Sequence, residues 1–256
     1  MNNLLTSLRS EILKTRRTAS FYFALLAATP IPLIFLLNVL TGGVDLEATR
    51  IDPLNAMFEL GAERNGILFF PMFVILVCTL LPQIEYRNNT WKQVFASPQT
   101  KSNVFIAKFL NINLLILLFL VASIVFMSLA IVATHFFNPA LDLLHQSFDL
   151  TRLLVRTANT YVTMLALCAF QFWLGLRFRN FIIPIAVGLA LWFFGMLMMF
   201  EFKSDLVDYF PYSFQTSPFI PELQTKMTQV GLVSAGYATL FLLLGFLDFR
   251  RRRLAA

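Results

Sequence analysis

Residues 66–84 read GILFFPMFVILVCTLLPQI, and residues 105–134 read FIAKFLNINLLILLFLVASIVFMSLAIVAT. Each run is long and apolar enough to cross the hydrocarbon core of a bilayer as a helix. Four more segments of that kind lie outward from this pair, at 20–40, 154–176, 181–200 and 229–247. The 105–134 run exceeds the bilayer thickness and is expected to tilt or to carry an interfacial end. The chain is 58% hydrophobic and 13% charged. That charged fraction is about half the average of soluble domains. The fold class is therefore an all-α membrane protein with six spans, a single transmembrane domain over residues 1–256.

The charges orient the spans. With the N-terminus in the cytoplasm, the inner side carries Arg9, Lys14, Arg16, Arg17, Arg87, Lys92, Lys101, Lys108, Arg177, Arg179 and Arg250 to Arg253, against the acids Glu11, Glu85 and Asp248. The outer side carries only Arg50, Arg64, Arg152, Arg156, Lys203 and Lys226. Basic residues accumulate in cytoplasmic loops, so both termini are expected inside. The sequence pI near 9.6 follows from these flanks and gives no reason to expect nucleic acid as a partner. The first apolar run follows about twenty residues with a helical pattern of their own, and reads as a retained span rather than a cleaved leader.

Several chemistries are missing. Cys78 and Cys168 sit within apolar runs, and His135 and His145 have no third ligand at a suitable spacing, so no metal site is expected. No Asp, Glu, Lys or Arg occupies the middle of a span, which argues against a proton-coupled pump. A membrane-embedded enzyme would need a nucleophile with a base, a carboxylate pair or a metal motif at depth. None of the ten glycines is followed by lysine, so a phosphate-binding loop of the Gly-Lys-Ser/Thr kind is absent and no catalytic or cofactor residues are assigned. Thr29, Asn38, Asn159, Thr163 and Gln171 are the mild polar residues at depth. They are candidates for a substrate path, with helix contact as the plainer reading.

Three segments are not spans. In 3–18, Leu4, Leu5, Leu8, Ile12 and Leu13 recur at helical spacing while Arg9, Arg16 and Arg17 fall mostly opposite, the pattern of an amphipathic helix lying on membrane lipid. In the inner loop 87–100, Thr90 can cap a short helix that Pro98 ends, with Trp91, Val94 and Phe95 sharing a face suited to docking. The outer segment 201–228 is rich in Tyr and Phe and interrupted by Pro211, Pro218 and Pro221, so it is expected to dip back into the protein as short helices.

The series Glu85, Arg87, Thr90-Trp91, Pro98, Lys101 and Lys108 resembles the signature between the second and third spans of type-2 ABC exporter permeases. The Thr-Trp-Lys wording and the lack of a large external domain look most like permeases of lantibiotic and bacitracin immunity exporters. Asn89 departs from the glycine common before that threonine, and Pro98-Gln99-Thr100-Lys101 from the more usual Pro, apolar residue, Ser or Thr, Arg. The resemblance implies two copies of a separate ATPase subunit, which bind ATP and Mg, and a second permease copy or a sister permease. It implies an ATPase-docking role for Glu85, Arg87, Thr90, Trp91, Val94, Phe95 and Pro98, and residence in the bacterial cytoplasmic membrane. The competing expectations are a non-transporting subunit that recruits an ATPase, and a passive channel.

Overall fold

The computed structural model describes residues 2–16, 19–41, 52–96, 99–137, 143, 146–202 and 204–251, and all regular structure among them is helical. Six helical runs are long and apolar enough to cross a membrane. Helix α1 (Asn2–Arg16) precedes the first run, Ser20–Leu40, which is built from α2 (Ala19–Ala27) and α3 (Pro30–Leu40). Pro30 has no N–H to offer the carbonyl one turn back. That carbonyl, on Leu26, instead accepts the Thr29 hydroxyl at 2.7 Å.

The second run extends over Pro53–Arg87, well beyond the 66–84 read from hydropathy. It joins α4 (Pro53–Arg64), a π-helical turn Asn65–Phe69 and α5 (Phe70–Arg87). Its start is fixed by Asp52, whose carboxylate accepts the Asn55 amide, and by Pro53 in the first turn. The π turn has a local cause. Pro71 cannot donate to the Ile67 carbonyl, and the Trp192 indole N–H takes that acceptor at 3.4 Å.

Helix α6 (Trp91–Ala96) follows, then α7 (Lys101–Phe137), α8 (Leu150–Arg177) and α9 (Ile182–Phe200). Asp149 caps α8 by accepting the Arg152 amide at 2.9 Å. Such polar caps explain why the helices outrun the apolar windows that reveal them. Between α9 and the last span lie two 3-10 turns, Asp205–Tyr209 and Phe214–Thr216, and the one-turn α10 (Pro221–Gln224). Helix α11 (Met227–Arg251) closes the bundle.

Helix α8 is the centre of the packing, flanked by α5 and α11. Glycines allow the closest approaches. A Cβ on Gly175 of α8 would sit 2.5 Å from the Cys78 carbonyl oxygen of α5. That carbonyl lies one turn before Pro82 and so lacks the usual amide donor. The segment between α9 and α11 returns deep into the protein. Tyr212 to Ser217 are buried, and the Tyr212 carbonyl lies where a Cβ on Gly195 would be, 2.6 Å away. Gly195 is about 8 Å below the C-terminal end of α9, at a rise of about 1.5 Å per residue. The Tyr212 hydroxyl reaches further and donates to Gln171 Oε1 at 3.0 Å.

The long-range contacts of charged residues collect at two ends. At one, Lys101 donates to the Arg250 carbonyl, Arg177 pairs with Asp248, and Lys108 meets Glu11 and Glu85. At the other, Asn55 bonds the Ser147 carbonyl and the Asp149 amide, Arg152 pairs with Glu59, and Lys226 with Asp208. Residues assigned to one side by charge counting thus share one end of the bundle.

Candidate functional site

At the basic end, α5 stops in a turn that its sequence dictates. The Asn89 amide donates to the Tyr86 carbonyl at 3.3 Å and the Thr90 amide to the Glu85 carbonyl at 3.0 Å. This paired closure needs a left-handed residue, and Asn89 supplies it with φ of 51°. Glycine fits that conformation without cost and asparagine tolerates it, which accounts for Asn89 where glycine is common. The turn launches α6, whose first bond runs from the Val94 amide to the Thr90 carbonyl at 3.0 Å.

Trp91 and Val94 are half-buried against the bundle rather than standing on an open face. Both pack on the buried core, and the Trp91 ring lies edge-on to Tyr86 and Phe249, 5.3 and 5.8 Å between centroids. An apolar residue on so short a helix gains more by covering the core than by meeting water. The exposed residues here are Arg87, Asn88, Asn89, Lys92, Gln93 and Ala96, while Thr90 is half-buried. The Phe95 side chain and Pro98 lie outside the described residues, as does Arg17.

Glu85 is also not a surface docking group, being 1% exposed. It joins Glu11, Lys14 and Lys108 in a four-charge cluster. Lys108 binds Glu85 Oε1 and, at 2.9 Å, Glu11 Oε2. Lys14 donates to Glu11 Oε1 at 2.7 Å and Glu85 Oε1 at 3.1 Å. Two cations and two anions balance, as burial of charge demands. The Lys108 ammonium also lies 5.6 Å from the centroid of the Trp91 ring. One lysine therefore touches α1, α5 and α6 from its place on α7.

Helix α1 presents Ser7, Glu11 and Thr15 inward, a stripe at four-residue spacing, and Asn111 of α7 donates to the Thr15 hydroxyl. Its apolar residues turn away, with Leu5 67% and Leu13 50% exposed and Ile12 beside them. Leu4 and Leu8 are half-buried, and Arg9 and Arg16 are exposed.

Burial alone would raise the Glu11 carboxyl, but Lys108 and Lys14 outweigh it and hold it below its ordinary 4.5. A lowered carboxyl contributes stability above its unfolded value and loses it as pH falls through the folded value. Burial likewise lowers Lys14, and Glu11 and Glu85 reverse this, raising it above 10.5. Its contribution is present below that value and fades as pH rises through the raised one. Glu11 and Lys14 are thus both charged at neutral pH. Thermal unfolding of the purified chain should occur at progressively lower temperature below about pH 4.5, and Glu11→Gln should flatten that decline. An acid limb identical in the variant would refute the assignment.

The five mild polar residues at depth lie apart from the cleft described below. Thr163 and Gln171 are fully buried. The Thr163 hydroxyl donates to the Thr160 carbonyl, and the Gln171 amide to Thr79 Oγ1 and the Pro184 carbonyl, at 2.9 and 2.8 Å. These are helix contacts. Thr29, Asn38 and Asn159 are half-buried, and none of the five lines the apolar cleft bordered by Ile31, Phe58 and Phe70. That cleft opens between α3, α4, α7 and α8 at the opposite end from the ion cluster, and Arg156 borders it.

A family model described as ABC-2 family transporter protein matches residues 7–195. No curated protein matches the chain.

Proposed function

We infer that the chain, which belongs to the ABC-2 transporter family, is a permease subunit that works with an ABC ATPase. On that premise we propose that it serves an exporter that moves an amphipathic or hydrophobic molecule, of which a membrane-active antimicrobial peptide is one class, out of the cell or the membrane. The permease lies in the bacterial cytoplasmic membrane with both termini inside. Two ATPase copies bind ATP and Mg, and a second permease, identical or sister, completes the pathway.

The observation that carries this reading is the linkage at Lys108. Helix α6 is tied down by Trp91 and leaves Lys92, Gln93 and Ala96 free to meet a partner. A push on α6 bears on Trp91, and Trp91 bears on the lysine that holds Glu85 of α5 and Glu11 of α1. Packed side chains shift between discrete arrangements rather than deforming smoothly, so the cluster passes movement to two spans and the interfacial helix together. Leu5, Ile12 and Leu13 seat that helix in the inner leaflet.

Reconstitution with the ATPase tests transport. In proteoliposomes, membrane-active peptides and single-chain amphiphiles should include at least one that raises ATP turnover several-fold. If the ATPase binds and turns over but no such compound alters its rate or accumulates across the bilayer, the chain is a recruiting subunit instead.

A further inference from the structure

The cleft at the end opposite the ion cluster has an ordered polarity. Its inner part, the chamber, has about 570 Å³ of empty space, some of it continuous with the outside, and is lined mainly by apolar residues such as Ile31, Phe58, Phe70 and Met127, with Ser123 and Thr160 among the polar ones. Arg156 borders this chamber, the neck beyond it and the wide mouth. Glu59 and Arg152 border only neck and mouth, Asp149 only the neck, where its carboxylate is engaged in capping α8 on the Arg152 amide, and Glu63 only the mouth. From inside outward the order is therefore a mostly apolar wall, a cation, mixed charges, then an anion at the rim.

Arg156 is an available cation. Its side chain is 17% exposed, and its guanidinium stands 3.6 Å from Glu59 Oε1, an oxygen held more closely by Arg152. The Phe219 ring lies 6.0 Å from its Cζ. A guanidinium carries five N–H donors in a fixed fork, more than one shared carboxylate oxygen satisfies. A phosphate or carboxylate would meet both arginines with several oxygens and displace Glu59.

We propose that this cleft binds a single-chain amphiphile whose anionic group adjoins its hydrocarbon tail. The tail enters the chamber and the anion sits on Arg156 and Arg152. Glu63 at the rim disfavours a second anion further out and accepts an amine there. The role of this amphiphile as cargo rests on the permease reading, but the binding itself does not.

The test is equilibrium binding to the full chain in nanodiscs of phosphatidylcholine, with radiolabelled oleoyl lysophosphatidate as probe. Oleate and oleoyl lysophosphatidylethanolamine should compete with it. Monoolein, which lacks the charge, should compete about tenfold more weakly, since a charge-assisted pair is worth about that factor. Oleylamine, with a cation beside its tail, should not compete. Arg156→Gln should weaken lysophosphatidate about tenfold and leave monoolein unchanged. Arg152→Gln, at a side chain 53% exposed, should weaken it in the same direction without risk to folding. Equal competition by monoolein or oleylamine, or wild-type binding by both variants, would overturn the proposal. No ATPase is present, so failure here removes the site and leaves the permease reading standing, while failed ATPase docking leaves the site standing.

Discussion

Lys108→Met should destabilise the chain by about 3–5 kcal/mol, because it strands two buried carboxylates beside a single remaining cation, Lys14. Lys108 is 3% exposed, and its ammonium is the group that reaches both Glu11 and Glu85 from α7. The measurement is thermal unfolding of the detergent-purified protein, with size-exclusion behaviour as a second readout. A compensated variant separates charge imbalance from lost volume. Glu85→Leu with Lys108→Leu removes one charge of each sign and leaves the Glu11–Lys14 pair, so it should regain much of the lost stability. If the double variant is as unstable as Lys108→Met, the cluster is not held by charge balance. The double variant should nevertheless transport poorly, since α6, α5 and α1 would no longer share a rigid polar link.

Gly175→Leu should be almost as damaging, at about 3 kcal/mol or more. Its Cβ would press on backbone, the Cys78 carbonyl oxygen at 2.5 Å and the Thr79 Cα at 3.0 Å, so no side-chain rotation relieves it. The α5–α8 contact would have to open, and with it the Gln83 bonds to the Gly175 and Phe178 carbonyls. Gly236→Leu is the internal control, because a Cβ there meets nothing within 4 Å. The expected result is a large drop in unfolding temperature for the first and little change for the second. Similar values for both would show that α5 and α8 are not locked at Gly175.

The spans were legible because a bilayer selects for length and apolarity, properties that a window of sequence reports directly. Their ends were less so. Asp52 and Asp149 carry their helices past the apolar windows by capping, a signal of one residue rather than of a run. The turn before α6 was marked by Thr90 and by the departure at Asn89, whose left-handed backbone explains that departure. The direction in which Trp91 points was not legible. On a six-residue helix an apolar face fits a partner or the bundle equally well, and contacts with Tyr86, Lys108 and, from the far end of the chain, Phe249 decide it. The ion cluster was half visible. Glu85 and Lys108 belong to the family-like series, but Glu11 looks like one acid in a basic flank until α1 is laid against α7. The Arg156 cleft lacked any local signal, because its charges come from α4 and α8 and its walls from helices spread over much of the chain.

The central claim is that the outward face of α6 seats the ATPase while Trp91 holds the helix to the bundle. Co-purification tests it most directly, with the chain co-expressed beside its candidate ATPase as wild type and as Lys92→Glu plus Ala96→Arg. The wild type should retain the ATPase and the double variant should release it, with no change in unfolding temperature because both side chains are exposed. An ATPase that stays bound to the charge-reversed helix, or that never binds the wild type, would contradict the claim.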